Sequence, residues 1–216
     1  MAFNTSNPII TRQGSLAVIY DLSKPYQTTI TLPVGSSWTS GLHWHETHDE
    51  YLHVLQGSIR VRLGSSTHIL HVGQQAKVSR FWRHEWSRAD VSTGEEVIVL
   101  ERTEPADDEK HLFFWNLNGV ILSSKGERWW SEWLIMLRLF MIFYTLDNWP
   151  VLCEMSYVRR SASGVLAAKI ESWITRVVLA SAVLLGGLLG LEAVDTRLTP
   201  PELMCRWQEK QRLKQT

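Results

Sequence analysis

The sequence is poor in cysteine, with only Cys153 and Cys205 among 216 residues and no CxxC pair. This excludes a disulfide-rich scaffold and a site of paired cysteines, and it predicts buried or idle thiols in a reducing compartment. Excess charge is also missing, because 22 acidic residues balance 22 basic ones. We therefore expect no nucleic-acid partner, since phosphate binding needs a basic surface. The first residues lack a basic stretch leading into an apolar one, so we expect an intracellular protein that is not secreted by a cleaved signal peptide.

The chain changes in character near residue 105. Before that point, short runs rich in Val, Ile, Leu and Thr alternate with turn residues, which predicts a sandwich or a closed barrel. The polar run 104–110 marks the predicted boundary between a barrel at 1–104 and an apolar, helical region at 105–216. Examples of the predicted strands are residues 15–20, 26–32, 50–55, 58–63, 67–72 and 96–101.

Three residues in the segment 41–51 have the pattern of a metal site. His43 and His45 are two apart, so on a strand their imidazoles project to the same face. Glu50 follows five residues later, and a turn or a change of strand can return its carboxylate to the same ion. Two histidines and one carboxylate on one side of a metal leave positions open for substrate, water or oxygen. The segment therefore predicts a reactive metal site rather than a closed structural one.

The spacing resembles the first motif of the cupin superfamily: His43-x-His45, four residues, Glu50, six residues, Gly57. Gly73 and His84 stand at the two ends of the family's second motif, at the right separation. The resemblance covers about residues 15–103. It implies a mainly β fold, a single jelly-roll barrel followed by the apolar α-helical region, with His84 as the fourth metal ligand beside His43, His45 and Glu50.

Three residues depart from the second motif. Ser79 replaces the family's proline, Phe81 its glycine, and Arg88 the asparagine that often follows the histidine. We therefore expect the turn before the ligand strand to be built differently. The bulky pair Phe81 and Trp82 is predicted to narrow the mouth of the pocket.

The cofactor is expected to be a divalent metal. Iron(II) is favoured, because three histidines and a glutamate with open positions suit oxygen chemistry, and zinc, manganese, nickel and copper are the alternatives. Glu46, next to the ligands, is the candidate proton carrier, with an exposed loop carboxylate as the alternative. His48 and His53 are predicted to be solvent-facing or packing residues.

In size and layout the chain is similar to small single-domain cupins of fungal natural-product pathways, which are often oxygenases or oxidoreductases. The likeness implies an iron-dependent oxidoreductase or dioxygenase acting on a small hydrophobic molecule resembling a secondary metabolite. A redox-silent isomerase, cyclase or lyase of the same fold is the second reading. A non-catalytic ligand-binding or membrane-scaffold protein is the third.

Two apolar segments in the second half of the chain could contact a membrane, the barrel or a second copy of the chain. Residues 177–191 carry no charge and, extended to 173–194, are long enough to span a bilayer. Ala182, Gly186 and Gly190 recur there every four residues, which allows close helix packing. Residues 129–146 hold one mid-segment arginine and have tryptophans 129, 130, 133 and 149 near their ends. Membrane association is one reading, and a hairpin packed on the barrel or against a second copy in a homodimer is the other.

Overall fold

The computed structural model describes residues 3–92, 94–123, 131–154 and 164–214. Within these ranges the barrel strands come first along the chain: β1 (Ile9–Arg12), β2 (Val18–Asp21), β3 (Gln27–Leu32), β4 (His43–Trp44), β5 (Asp49–Gln56), β6 (Ser58–Leu63), β7 (Ser66–His71), β8 (Gln75–Val78), β9 (His84–Arg88) and β10 (Val97–Glu104). They are followed by helix α1 (Glu109–Ser123), helix α2 (Ser131–Thr145), strand β11 (Trp149–Pro150), helix α3 (Gly164–Leu188) and helix α4 (Pro201–Leu213).

The strands form two antiparallel sheets, with the orders β1-β2-β3-β10-β5-β8 and β11-β4-β9-β6-β7. Along β3 every second residue is buried, as expected for a strand with one face on the core. Ile30 and Val99 of the first sheet share a single core with Val61 and Trp86 of the second. The predicted fold class, a mainly β jelly roll followed by an apolar helical region, is confirmed.

The strands named from the sequence, together with those expected to carry His43 and His84, do not include β1, β8 and β11. Each of these has two to four residues, which is too short for apolar alternation to stand out. Strand β11 lies in the half predicted to be helical and pairs with β4 at the sheet edge. Cys153 and Cys205 are both free and exposed, so of the two alternatives expected for them, buried or idle thiols, the first does not hold.

Helix α1 packs against the barrel and extends its core. Leu112, Phe113 and Phe114 belong to the same buried cluster as Ile30. The rings of Phe114 and Tyr20 lie 4.8 Å apart. One continuous core therefore crosses the predicted boundary at residues 104–105.

Helix α3 is bound to the barrel along one face. Glu171 accepts a hydrogen bond from Arg83, and Thr175 Oγ1 donates to the carbonyl of Pro150 at 3.0 Å. Further along, Ala182 is buried against α2, and a Cβ at Gly186 would overlap the sulfur of Met141. Two members of the small-residue stripe thus pack inside the chain, where α2 and α3 meet.

The opposite face of α3 is apolar and exposed. Leu166–Leu188 is long and apolar enough to cross a membrane, by length and composition alone. Trp149 is buried in β11 beside Trp44, so it does not belong to an aromatic belt, and residues 129–130 lie outside the described residues. Membrane association and homodimerisation stay predictions. The exposed apolar residues of this face include Leu166, Ile170, Trp173, Val177, Leu184 and Leu188.

Candidate metal centre

The four candidate ligands meet between the two sheets. His43 on β4 lies directly opposite His84 on β9 in the antiparallel register, and their ring centroids are 4.1 Å apart. His45 follows just after β4, two residues beyond His43. Glu50 comes from β5 of the other sheet. Closure of the barrel therefore sets one carboxylate against three imidazoles.

The cluster is buried and compact. None of the four residues is more than 5% exposed. One ligand atom from each lies within 4.8 Å of the others. The structure thus brings together all four residues chosen from the sequence, and their role as metal ligands stays a prediction.

Backbone carbonyls orient all three imidazoles. Nδ1 of His43 lies 2.8 Å from the carbonyl oxygen of Gly41, and Nδ1 of His84 lies 3.1 Å from that of Trp82. Nδ1 of His45 lies 2.5 Å from the carbonyl oxygen of Asp147. A carbonyl only accepts, so each Nδ1 carries the proton and donates it. Each Nε2 then presents a lone pair, as metal-binding histidines do.

The donor set fits a divalent cation. Nε2 of His45 and Nε2 of His84 each lie 3.1 Å from a carboxylate oxygen of Glu50. At this distance the Nε2 lone pairs and the negatively charged carboxylate of Glu50 repel each other unless a proton or a cation lies between or beside them. Burial, together with the neighbouring His84, lowers the pKa of His43 well below its usual value, and burial with Lys110 lowers that of His45. Additional protons on His43 and His45 are therefore disfavoured, and a metal ion bound by the Nε2 lone pairs and the carboxylate would fit this donor set.

Lys110 of α1 reaches the same carboxylate. Its Nζ donates to Glu50 Oε2 at 2.6 Å and to Glu101 Oε1 at 2.8 Å. Burial alone would lower the pKa of Lys110, but the two carboxylates outweigh burial and raise it. Burial, with the charge of Glu50, raises the pKa of Glu101 to about 7. Sequence reasoning missed this pair, because Lys110 belongs to a polar run that is typical of a linker.

Asp147, after α2, holds the loop that carries His45. Its carboxylate accepts from the backbone N–H groups of Glu46 at 2.7 Å and Thr47 at 2.9 Å. It also accepts from Thr47 Oγ1 at 2.6 Å and lies 2.9 Å from Nδ1 of His48. Its own backbone has φ +50°, a conformation that aspartate tolerates better than most residues. Asp147 therefore fixes the ligand loop through both its carbonyl and its side chain.

Glu46 points away from the cluster. Its Oε1 accepts from Nη2 of Arg176 on α3 at 2.7 Å and from the indole N–H of Trp44 at 3.1 Å. Alternation along the chain explains this direction, since residues 44 and 46 face opposite to 43 and 45. Its role as a proton carrier stays a prediction.

The two remaining nearby histidines differ in burial. His48 is buried and lies between Asp147 and Asp107. Burial opposes its charged form, but the hydrogen bonds to these carboxylates outweigh it and raise the pKa of His48 to about 9. His53 is half-buried on β5. Of the two alternatives expected for His48, the solvent-facing one is therefore wrong.

Phe81 replaces the glycine of the motif, and its backbone has a conformation that favours glycine. Its φ is +64°, which a bulky side chain adopts at a cost. Its N–H donates to the carbonyl of His45 at 2.6 Å, which holds the turn against the ligand loop. Phe81 and Trp82 are 60% and 56% exposed.

A cavity of about 250 Å³ lies against the cluster, with His43 on its wall. Its lining includes neither Phe81 nor Trp82, so they do not narrow it as predicted. Aromatic residues from the barrel, α1 and α2 line part of the cavity. They are Trp38, Phe113, Phe114 and Phe143, and the polar wall includes Arg12, Tyr20, Glu101 and Lys110.

These features define a class of protein: an antiparallel two-sheet barrel with three histidines and one carboxylate buried between its sheets. Residues 28–100 match the model of the cupin domain family. This part of the chain is a cupin domain, and the resemblance seen in the sequence is confirmed.

Solved structures of low similarity are also found. KdgF from Halomonas sp. is 18% identical, with a TM-score of 0.37, covering 50% of this chain and 97% of that one. A predicted oxalate decarboxylase from Thermotoga maritima is also 18% identical, with a TM-score of 0.37, and the match covers 48% of this chain and 97% of that one. The CENP-C cupin domain of Drosophila melanogaster is 14% identical, with a TM-score of 0.35, and the match covers 48% of this chain and 80% of that one. Similarities of this strength support no conclusion about activity. No curated protein sequence matches the chain.

Proposed function

We propose that the protein is a metal-dependent cupin enzyme that oxidises a small, largely apolar molecule. His43, His45, Glu50 and His84 hold the metal, and iron(II) is the preferred ion. The proposal is supported most by the buried cluster, whose ligand atoms lie within 4.8 Å of one another. Iron(II) bound there would supply open coordination positions and one-electron chemistry with oxygen.

The residues around the cluster have distinct tasks in this proposal. The carbonyls of Gly41, Trp82 and Asp147 keep the imidazole lone pairs turned inward. Phe113 and Phe143 help to exclude water from the cavity and to enclose the apolar body of the substrate. Exclusion of water strengthens the electrostatic interactions of the site.

A redox-silent isomerase or lyase is the second candidate, and the cavity wall favours it. Lys110 and Glu101 line the cavity beside His43. Their ammonium and carboxylate groups are 2.8 Å apart, which suits transfer of a proton to or from a substrate. In both candidates Glu101 is better placed than Glu46 to exchange a proton, because Glu46 is bound to Arg176.

Metal analysis and oxygen uptake test the proposal. The purified full-length protein should contain about one divalent ion per chain, and its iron-loaded form should consume oxygen with an apolar substrate from a compound panel. His45→Ala should lose both properties, whereas His53→Ala, which changes a non-ligand histidine on β5, should keep both. Turnover that is independent of oxygen and is equal with zinc would favour the redox-silent candidate. Equal metal content and activity in His45→Ala would exclude both.

A further inference from the structure

Arg12 is a cation without an acidic partner on the wall of the cavity. Two cationic side chains line this cavity, Arg12 and Lys110. Lys110 is neutralised by Glu50 and Glu101. No carboxylate of the described residues lies within ion-pair distance of Arg12. Among the described residues, Arg12 on β1 is therefore the cationic side chain of the cavity that lacks a carboxylate partner.

Tyr20 and Arg12 form a polar pair that can receive an anion. Nη2 of Arg12 lies 3.2 Å from the hydroxyl oxygen of Tyr20 and donates to it. Nε of Arg12 is buried and has no hydrogen-bond partner among the described residues. A buried donor without a partner is costly, and a ligand that accepts from it would remove that cost. The Tyr20 hydroxyl can donate its own proton to the same ligand.

The rest of the cavity is suited to an apolar body. Trp38, Phe113 and Phe114 line the same cavity as Arg12 and His43. Aromatic walls of this kind enclose flat apolar groups well. A ligand anchored at Arg12 would thus extend through an aromatic enclosure toward His43.

We infer that the substrate is a small carboxylic acid with an apolar, ring-sized body. Its carboxylate pairs with the guanidinium of Arg12 and accepts from the hydroxyl of Tyr20, and its body lies among the aromatic residues. The inference rests on the proposed function, because it takes the cavity beside the cluster as the substrate pocket. Arginine suits this role because its planar guanidinium pairs with carboxylates through two parallel hydrogen bonds.

Calorimetric titration with benzoate and with benzamide tests the inference. The two probes share a ring and differ in charge. Benzoate should bind the full-length protein at least about tenfold more tightly, because hydrogen bonds to a charged group are worth roughly that factor or more. Arg12→Gln should remove this preference and leave benzamide binding unchanged. Tyr20→Phe should reduce it less, and Arg102→Gln, which changes an exposed arginine on β10, should not affect it.

Repeating the titrations after treatment with a chelator separates the inference from the proposed function. A preference for benzoate that survives chelation and is lost in Arg12→Gln supports the inference, even if the metal proposal fails. A preference that chelation removes and Arg12→Gln does not would assign the acid to the metal and overturn the inference. Equal binding of the two probes, or no binding of either, would also overturn it.

Discussion

The barrel and the helical half serve the same site in different ways. The barrel supplies His43, His45, Glu50 and His84 within 42 positions of the chain, at spacings that can be read from the sequence. The helical half supplies Lys110 and Asp147, whose contacts span 60 and 102 positions. Ligands can therefore follow a local pattern, whereas the groups that balance and orient them come from parts of the chain that only the fold brings close.

Removing a ligand should have the largest effect and tests the role of the barrel. His84→Ala should lower the affinity for Zn²⁺ by more than about a hundredfold, because loss of outer partners alone typically costs tenfold to hundredfold. His68→Ala, an exposed histidine on β7, is the matched control and should bind as the parent protein does. Calorimetric metal titration measures both. Equal affinity in His84→Ala would remove β9 from the site.

Lys110→Met tests whether the helical half balances the charge of the cluster. Without the ammonium, Glu50 and Glu101 are buried without a compensating cation, so the metal-free protein should lose about 3 kcal/mol of unfolding free energy. The affinity for metal should rise, because a competing positive charge is gone. Urea unfolding with and without Zn²⁺ measures the two effects. Lys169→Met, an exposed lysine on α3, should change neither, and no effect of Lys110→Met would limit the site to the barrel.

Asp147→Asn tests whether the helical half also orients the ligands. Asparagine keeps the positive φ but loses the charge that holds the loop 46–48, so metal affinity should fall about tenfold to hundredfold. The same titration detects the loss. Asp195→Asn, which affects a carboxylate bound to Arg138, should leave the affinity unchanged. An unaltered affinity in Asp147→Asn would show that the barrel alone orients His45.

Phe81→Gly should have the smallest effect and tests the barrel motif itself. Glycine adopts a positive φ without strain, whereas it also makes the unfolded chain more flexible, which opposes folding. The net result should be a rise in the unfolding free energy of about 0.5–1 kcal/mol. Thermal unfolding measures the gain, and metal affinity should stay the same. A marked destabilisation would mean that the exposed Phe81 ring contributes packing that outweighs its backbone strain.

The sequence predicts the barrel well because its signals are local. Strand alternation identifies β6 at its exact bounds, and motif spacing identifies the four clustered residues. A very short strand such as β11 escapes detection because two residues show no period.

Charges and small residues in the second half are harder to interpret. Lys110 belongs to a polar stretch that is usual in linkers, and only the packing of α1 shows that its ammonium is buried. Gly186 suits a membrane helix and a soluble hairpin equally, and its contact with Met141 is visible only in three dimensions. Asp147 gives no signal, because a single aspartate after an apolar segment is typical of many helix ends.

X-ray absorption spectroscopy of the purified, metal-loaded protein tests the central claim most directly, because it counts the imidazoles around the ion. We predict three histidine nitrogens and at least one carboxylate oxygen on a single ion per chain, with one imidazole fewer in His84→Ala. An ion with no more than one imidazole, or a spectrum that His84→Ala leaves unchanged, would contradict the claim that these four residues form the metal centre.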